Sequence, residues 1–319
     1  MSPKSMLTLL AALAVVLALP AAAPAAKTNI AVGIGDQSPD MFDNADFRAL
    51  KMKKARFFIS WNAIDNPDKL AVADAWLRGA KRAGVRPLLH VDGVFTTDAP
   101  SVSEYRTKVR ELVRRYRRGT DGRASVVEWG VWNEANSRTQ PVFRLASRTA
   151  KYFLELRKMC RGCTIVALDL LDAGNIKAYI RSFYRALRGR KRLATIVGIH
   201  NYGDTNRARR NNTKTIINEV RRFNRRAKFW MTETGGLAFF RTETRVAFPC
   251  NESRQARAVA KMFALARKYR RYVTRLYPYN FFGTDCDNGL RFDAGLIRRD
   301  GSRRPAYNTL RRALRNFRR

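Results

Sequence analysis

Eight short apolar runs, each followed by a longer amphipathic stretch, constrain this chain more than any other feature. The runs are Asn29–Ile34, Ala55–Ser60, Arg86–Val91, Val126–Trp132, Thr164–Leu170, Ile196–His200, Lys228–Thr232 and Val273–Tyr279. Runs of this length, bounded by polar turns, suit strands buried on both faces. The stretches between them carry helical periodicity: 41–53, 69–83, 103–118, 142–159, 176–187, 213–224 and 254–269, with a last one over 306–317. Strand and helix alternating eight times predict an α/β protein whose parallel sheet closes on itself, a (β/α)8 or TIM barrel. An open dinucleotide-binding sheet is disfavoured, because no G-x-G-x-x-G follows the first strand.

The barrel is expected to be the single domain of residues 27–319. The first 26 residues read as a secretory signal. Lys4 is the basic start, Met6–Leu19 the apolar segment, and Pro20–Ala26 a small-residue stretch with A-x-A choices ending at Ala23 or Ala26. The apolar run is shorter than the ~20 residues of a spanning helix. No later run is long enough to span either. The expectation is a secreted, monomeric protein with no membrane contact once the signal is removed. Four cysteines, at 160, 163, 250 and 286, allow three pairings. A local Cys160–Cys163 clip and a Cys250–Cys286 tie between late loops are favoured. Zinc is disfavoured for the lone C-x-x-C, which has no second pair beside it.

Lysine and arginine number 63 against 26 acids, for a net charge of +37. Such a field attracts anionic polymers or acidic polysaccharide. The basic residues are spread along the chain without aromatic interleaving, so a specific nucleic-acid partner is not expected. Compositional bias toward arginine is the plainer source of the charge.

In such a barrel the strand ends carry the chemistry. Here they read Ser60-Trp61-Asn62, His90-Val91-Asp92, Asn133-Glu134-Ala135-Asn136, His200-Asn201-Tyr202, Thr232-Glu233-Thr234-Gly235 and Tyr277-Pro278-Tyr279-Asn280. Glu134 and Glu233 close strands four and seven, whose ends face each other across a barrel. Two carboxyl groups flanking one bond are what glycoside hydrolysis requires. Their surroundings must differ, so that one stays a neutral acid and the other ionised. Glu128, Glu243 and Glu252 lack comparable context. This chemistry requires no metal and no organic cofactor.

These segments resemble the retaining (β/α)8 glycoside hydrolases with acid/base on strand four and nucleophile on strand seven, in their cellulase-like and β-xylosidase/iduronidase-like branches. VEWGVWNEAN (127–136) is similar to the strand-four segment, and KFWMTETG (228–235) to the strand-seven segment. RFFISW (56–61) is similar to the strand-two segment with its arginine, GIHNY (198–202) to strand six, and GLIRRDGSRRPAY (295–307) to the segment before the last helix. The resemblance covers nearly the whole chain beyond the signal. It implies a carbohydrate substrate, Glu134 as acid/base and Glu233 as nucleophile. It also implies that Asn133 bonds the sugar 2-hydroxyl, Tyr202 holds Glu233, and Arg56 keeps it ionised. His200, His90, Trp61 and Tyr279 are supporting candidates. Trp132 is read as barrel filling. Two departures stand out. Ala135 replaces the usual proline after Asn-Glu, and Tyr279 lies where many members carry tryptophan. The competing reading is a catalytically silent barrel that binds anionic extracellular or cell-wall polymer. Arg207, Arg209, Arg210, Arg241 and Arg245, in the loops after strands six and seven, hint at acidic sugars.

Overall fold

The computed structural model describes residues 27–93, 99–207, 211–284, 286 and 291–318. The expected leader, 1–26, and Arg209 and Arg210 lie outside them. The architecture is a closed parallel barrel ringed by helices. Strand one is split at Gly33 into Ala31–Val32 and Ile34–Gly35. Its first half pairs with strand eight (Val273–Pro278) and its second with strand two (Lys54–Ser60), which shuts the barrel. Strands three to seven follow in chain order: Arg86–Asp92, Glu128–Gly130, Thr164–Leu171, Ile196–His200 and Lys228–Thr234. A Cβ on Gly33 would come within 2.7 Å of both the Lys54 carbonyl and the Tyr277 ring, so only glycine lets strand one bend there.

Strand four is shorter than the expected 126–132. After Gly130 the chain leaves the ladder for a turn, although Asn133 N–H still donates to Val91 and Ala135 N–H to Asp169. The first helical stretch is divided as well. A 3-10 turn, Pro39–Asp43, ends at Asn44, whose side chain caps a new helix over Ala45–Leu50. The stretch expected from 142 begins as a helix only at Ala146 and runs to Met159. The remaining ring helices, among them Pro67–Arg82, Val102–Tyr116, Asn212–Phe223 and Glu252–Lys268, start within a few residues of expectation. Ser101 and Glu104 form a capping box that sets one of those starts.

Side chains alternate along each strand. On strand two, Phe57 faces outward onto Trp76 of a ring helix, while Arg56 and Phe58 face the axis. The lower axis is filled by Leu88, Val166, Trp230 and Tyr277. Glu128 belongs to this floor, where Arg275 binds it through its two terminal guanidinium nitrogens and lies 3.7 Å over the Trp230 ring. Disulfides join Cys160 to Cys163 and Cys250 to Cys286. A small antiparallel sheet (Phe239–Arg241, Val246–Phe248, Phe292–Asp293) sits on the loops after strands seven and eight. No alternation in the sequence announced it. Among the described residues, no helix is long and apolar enough to cross a membrane.

Candidate active site

The upper axis of the barrel is polar, and one buried guanidinium organises it. Arg56 Nε donates to His90 Nδ1 at 3.0 Å, and Nη1 donates to Glu233 Oε2 at 2.8 Å. Nη2 donates to Asn133 at 2.6 Å and to Asp169 at 3.0 Å, and lies 3.2 Å from His200 Nε2. Arg56, His90, Asp169 and His200 are fully buried. Two glycines make the room. A Cβ on Gly130 would fall 1.8 Å from the His90 ring, and one on Gly198 1.7 Å from Asp169.

Asp169 was not anticipated. It sits inside the apolar run of strand five, and an acid in such a run is the signal that marks it. Burial pushes its carboxyl up, but His200 and Arg56 outweigh burial and hold it well below the ordinary carboxylate range. The Thr232 hydroxyl also donates to it. His200 has the opposite shift. Burial disfavours its charge, yet Asp169 and Glu233 raise it to about 10. His90 is pushed well below its ordinary value by burial, so it is neutral and accepts from Arg56. Its Nε2 lies 3.2 Å from Asp169 but outside hydrogen-bonding geometry.

Glu233 reaches this layer through an irregularity. Gly198 pairs with Trp230, but His200 pairs with Glu233, so strand seven carries one extra residue between these pairs. The bulge turns Glu233 toward the axis although Thr232, just before it, already faces inward. Tyr202 OH donates to Glu233 Oε1 at 3.1 Å. The Glu233 carboxyl stands above its ordinary value: burial raises it, His200 and Arg56 pull it only part of the way back, and Glu134 pushes it up again.

Glu134 enters from the turn after strand four, with a left-handed φ of 43°. A non-glycine residue held there costs about 1–3 kcal/mol, and such strain collects at functional sites. Oε1 of Glu134 meets His200 Nδ1 at 3.0 Å, and Oε2 has no partner among the described residues. Ligand atoms of Glu134, His200 and Glu233 all lie within 4.8 Å of one another. That spacing would also suit a metal ion. Both ring nitrogens of His200 are already engaged, however, Nδ1 by Glu134 and Nε2 by Asp169, and Arg56 already binds Glu233, so the trio is a poor donor set.

The two carboxylates line a cleft of about 810 Å³ with Asn133, Ser137, Thr139, Asp172 and Tyr202. Its aromatic walls are Phe58, Phe240, Phe248, Tyr279 and Phe292. Asp172, at the end of strand five, is raised to about 7, chiefly by burial and against the pull of the Gly203 and Asp204 backbone N–H groups. Asn133 offers its side-chain oxygen to Arg56, which leaves its amide nitrogen for a ligand. Trp61 does not line the cleft; it packs partly buried against the outer core, one residue beyond the inward alternation of strand two. Trp132 is fully buried beside Tyr105 and Tyr152, with its indole nitrogen on Gln140. His90 lies under the cleft rather than in its lining. A second hollow of about 860 Å³, beside Arg144, Arg148 and Lys151, lies outside the barrel and contains neither carboxylate.

Solved structures share this architecture. A glucosidase from Croceicoccus marinus aligns over 90% of this chain at 14% identity, with a TM-score of 0.66. A family 39 glycoside hydrolase from Bacteroides cellulosilyticus aligns over 90% at 16% identity and 0.62. The chain has the barrel fold of these glycoside hydrolases. It spans 66% and 63% of the length of those two proteins. A xylanase from Paenibacillus barcinonensis is covered over 99% of its length and 91% of this chain, at 12% identity and a TM-score of 0.62. No family model and no curated protein matches the sequence. At these identities the likeness is one of fold, and chemistry has to be argued from the cleft.

Proposed function

We propose that the protein is a retaining glycoside hydrolase that cleaves O-glycosidic bonds by double displacement. The observation that carries this reading is that one carboxylate oxygen of Glu134 lies within 4.8 Å of one of Glu233 across the cleft, with His200 Nδ1 3.0 Å from the first residue and 3.7 Å from the second. Retaining pairs stand about 5–5.5 Å apart, whereas inverting pairs leave about 6.5–9.5 Å for a water. The surroundings divide the labour. Glu233 receives donors from Arg56 and Tyr202, which favour its ionised form and aim it. It attacks the anomeric carbon. Glu134 keeps Oε2 without a protein partner, so that oxygen can protonate the leaving group and then deprotonate the attacking water. Asn133 is placed to bond a sugar hydroxyl, and Tyr279 with Phe58, 5.6 Å apart, offers an aromatic floor.

Export from the cell is part of the proposal. Residues 1–26 have the make-up of a signal, and two disulfides suit an oxidising compartment. Glucosides and xylans, after the neighbours' activities, are the first substrates to try. The decisive test treats the protein with a panel of activated 2-deoxy-2-fluoro glycosides and maps the adduct by peptide mass spectrometry. Label on Glu233 and retained product configuration are expected. Inverted products, or label on another residue, refute the assignment.

A further inference from the structure

The wall of the cleft built by the loops after strands six and seven is cationic without compensation. Arg207 and Arg245 both line the cleft and both are exposed. Among the described residues neither side chain has a carboxylate partner. The Arg207 guanidinium stands 5.0 Å from the centre of the Phe248 ring, and Arg254 stands 5.2 Å from the same ring. Arg254 is tied to the backbone carbonyls of Ala238 and Pro249 at 3.0 and 2.7 Å. Phe248 therefore carries two guanidiniums.

The acids of the surrounding segments are already engaged. Glu243 pairs with Arg291 at 3.1 Å, and Asp293 with Arg304 at 2.7 Å. Glu252 binds Arg298 and Arg304. Asp204 accepts from the backbone N–H groups of Asn212 and Thr213 at 3.0 and 2.7 Å. The carboxylates that do line the cleft, Glu134, Asp172 and Glu233, follow strands four, five and seven nearer the axis. Like charges at the mouth of a low-dielectric cleft repel one another until an anion joins them, and the field there concentrates anionic ligands. A guanidinium oriented by a ring also loses less freedom when it forks onto an oxyanion.

We propose that the substrate is an acidic glycan whose carboxylate or sulfate group is bound between Arg207 and Arg245 against Phe248. The inference rests on the glycosidase reading and adds the substrate class to it. It assigns Arg207 and Arg245 to specificity rather than to the chemical step.

The test measures binding by calorimetry at 0.15 M salt, in the full chain carrying Glu134→Gln so that ligands stay intact. The probes are octasaccharides of galacturonate and of heparin, each beside its carboxyl-reduced or desulfated form. The two arms separate carboxylate from sulfate recognition. At least one acidic probe should bind about tenfold or more tightly than its carboxyl-reduced or desulfated counterpart, the scale of a charge-assisted contact. Arg207→Gln with Arg245→Gln should erase that preference. Arg225→Gln with Arg226→Gln should keep it. These two exposed residues lead into the start of strand seven, on the opposite face, and their replacement removes the same charge. The inference is overturned if neither acidic probe outbinds its carboxyl-reduced or desulfated counterpart, or if the distal pair erases the preference equally. Fluorosugar labelling of Glu233 in the wild-type chain is read separately. Label there with no acidic preference in binding rejects the substrate class and leaves the glycosidase standing.

Discussion

Replacing Asp169 by Asn should change the charge of His200, and the chain contains only two histidines with which to see it. In the intact protein His200 is lifted from 6.5 to about 10. A raised base stabilises the fold fully below its unfolded value, and that contribution is lost as pH rises through the folded value. The lift amounts to at most about 5 kcal/mol below pH 6.5, about 2 kcal/mol of it gone by pH 8 and the rest by pH 10. Asp169 has the inverse sign. Its depressed carboxyl stabilises the fold above about pH 4 and stops doing so as the solution becomes more acidic. Asp169→Asn removes the largest influence that raises His200, so His200 should fall by roughly two units or more. It also leaves Arg56 with Glu233 as its one carboxylate partner among the described residues, a loss of about 3–5 kcal/mol at neutral pH. Two Cε1 resonances followed from pH 5 to 10.5 report the charges directly, and urea unfolding at pH 6 and 8 reports the energy. In the wild type, one histidine should stay charged past pH 9 and the other stay neutral throughout. Two ordinary titrations near 6.5, or a His200 indifferent to Asp169→Asn, would refute this account of the polar layer.

Glu233→Ala should abolish turnover of every substrate, whereas Glu134→Ala should still release an activated dinitrophenol in the first step, seen as a burst; equal behaviour on that substrate would reverse the assigned roles. Arg56→Lys cannot reproduce contacts to five side chains and should lower kcat by at least about a hundredfold, measured beside circular dichroism to verify folding. Gly198→Ala forces a methyl onto Asp169, so the melting temperature should fall by several degrees or the chain fail to fold. Opening Cys250–Cys286, which closes 36 residues, should cost about 3–4 kcal/mol in urea unfolding, against about 1–2 kcal/mol for Cys160–Cys163, which closes 3.

The barrel was legible because strands buried on both faces write themselves as apolar runs, and the helices between them repeat with a different period. The positions of Glu134 and Glu233 followed from strand ends. Strand four was overextended because the residues after Gly130 are as apolar as a strand, while their backbone turns to present Asn133 and Glu134. Asp169 shows no strand-end signal, because this acid acts from the middle of a strand. Trp61 adjoins a strand end in sequence, yet one step of alternation sends it to the outer core. The three-stranded sheet over the cleft, which supplies Phe240, Phe248 and Phe292, depends on pairings between loops distant in sequence. Short-range pattern carries no trace of such pairings.

The strained turn at Glu134 bears on how this scaffold could be altered. A left-handed backbone at a glutamate is tolerated because Ser137 N–H closes on its carbonyl at 2.7 Å and Ala135 N–H is fastened to strand five at 3.0 Å. Inserting even one residue between Gly130 and Ser137 would let the turn relax into an ordinary conformation and withdraw the carboxyl from its partner across the cleft. Loops elsewhere on this rim can lengthen and acquire new shapes; this one must keep its length for as long as the chemistry is kept.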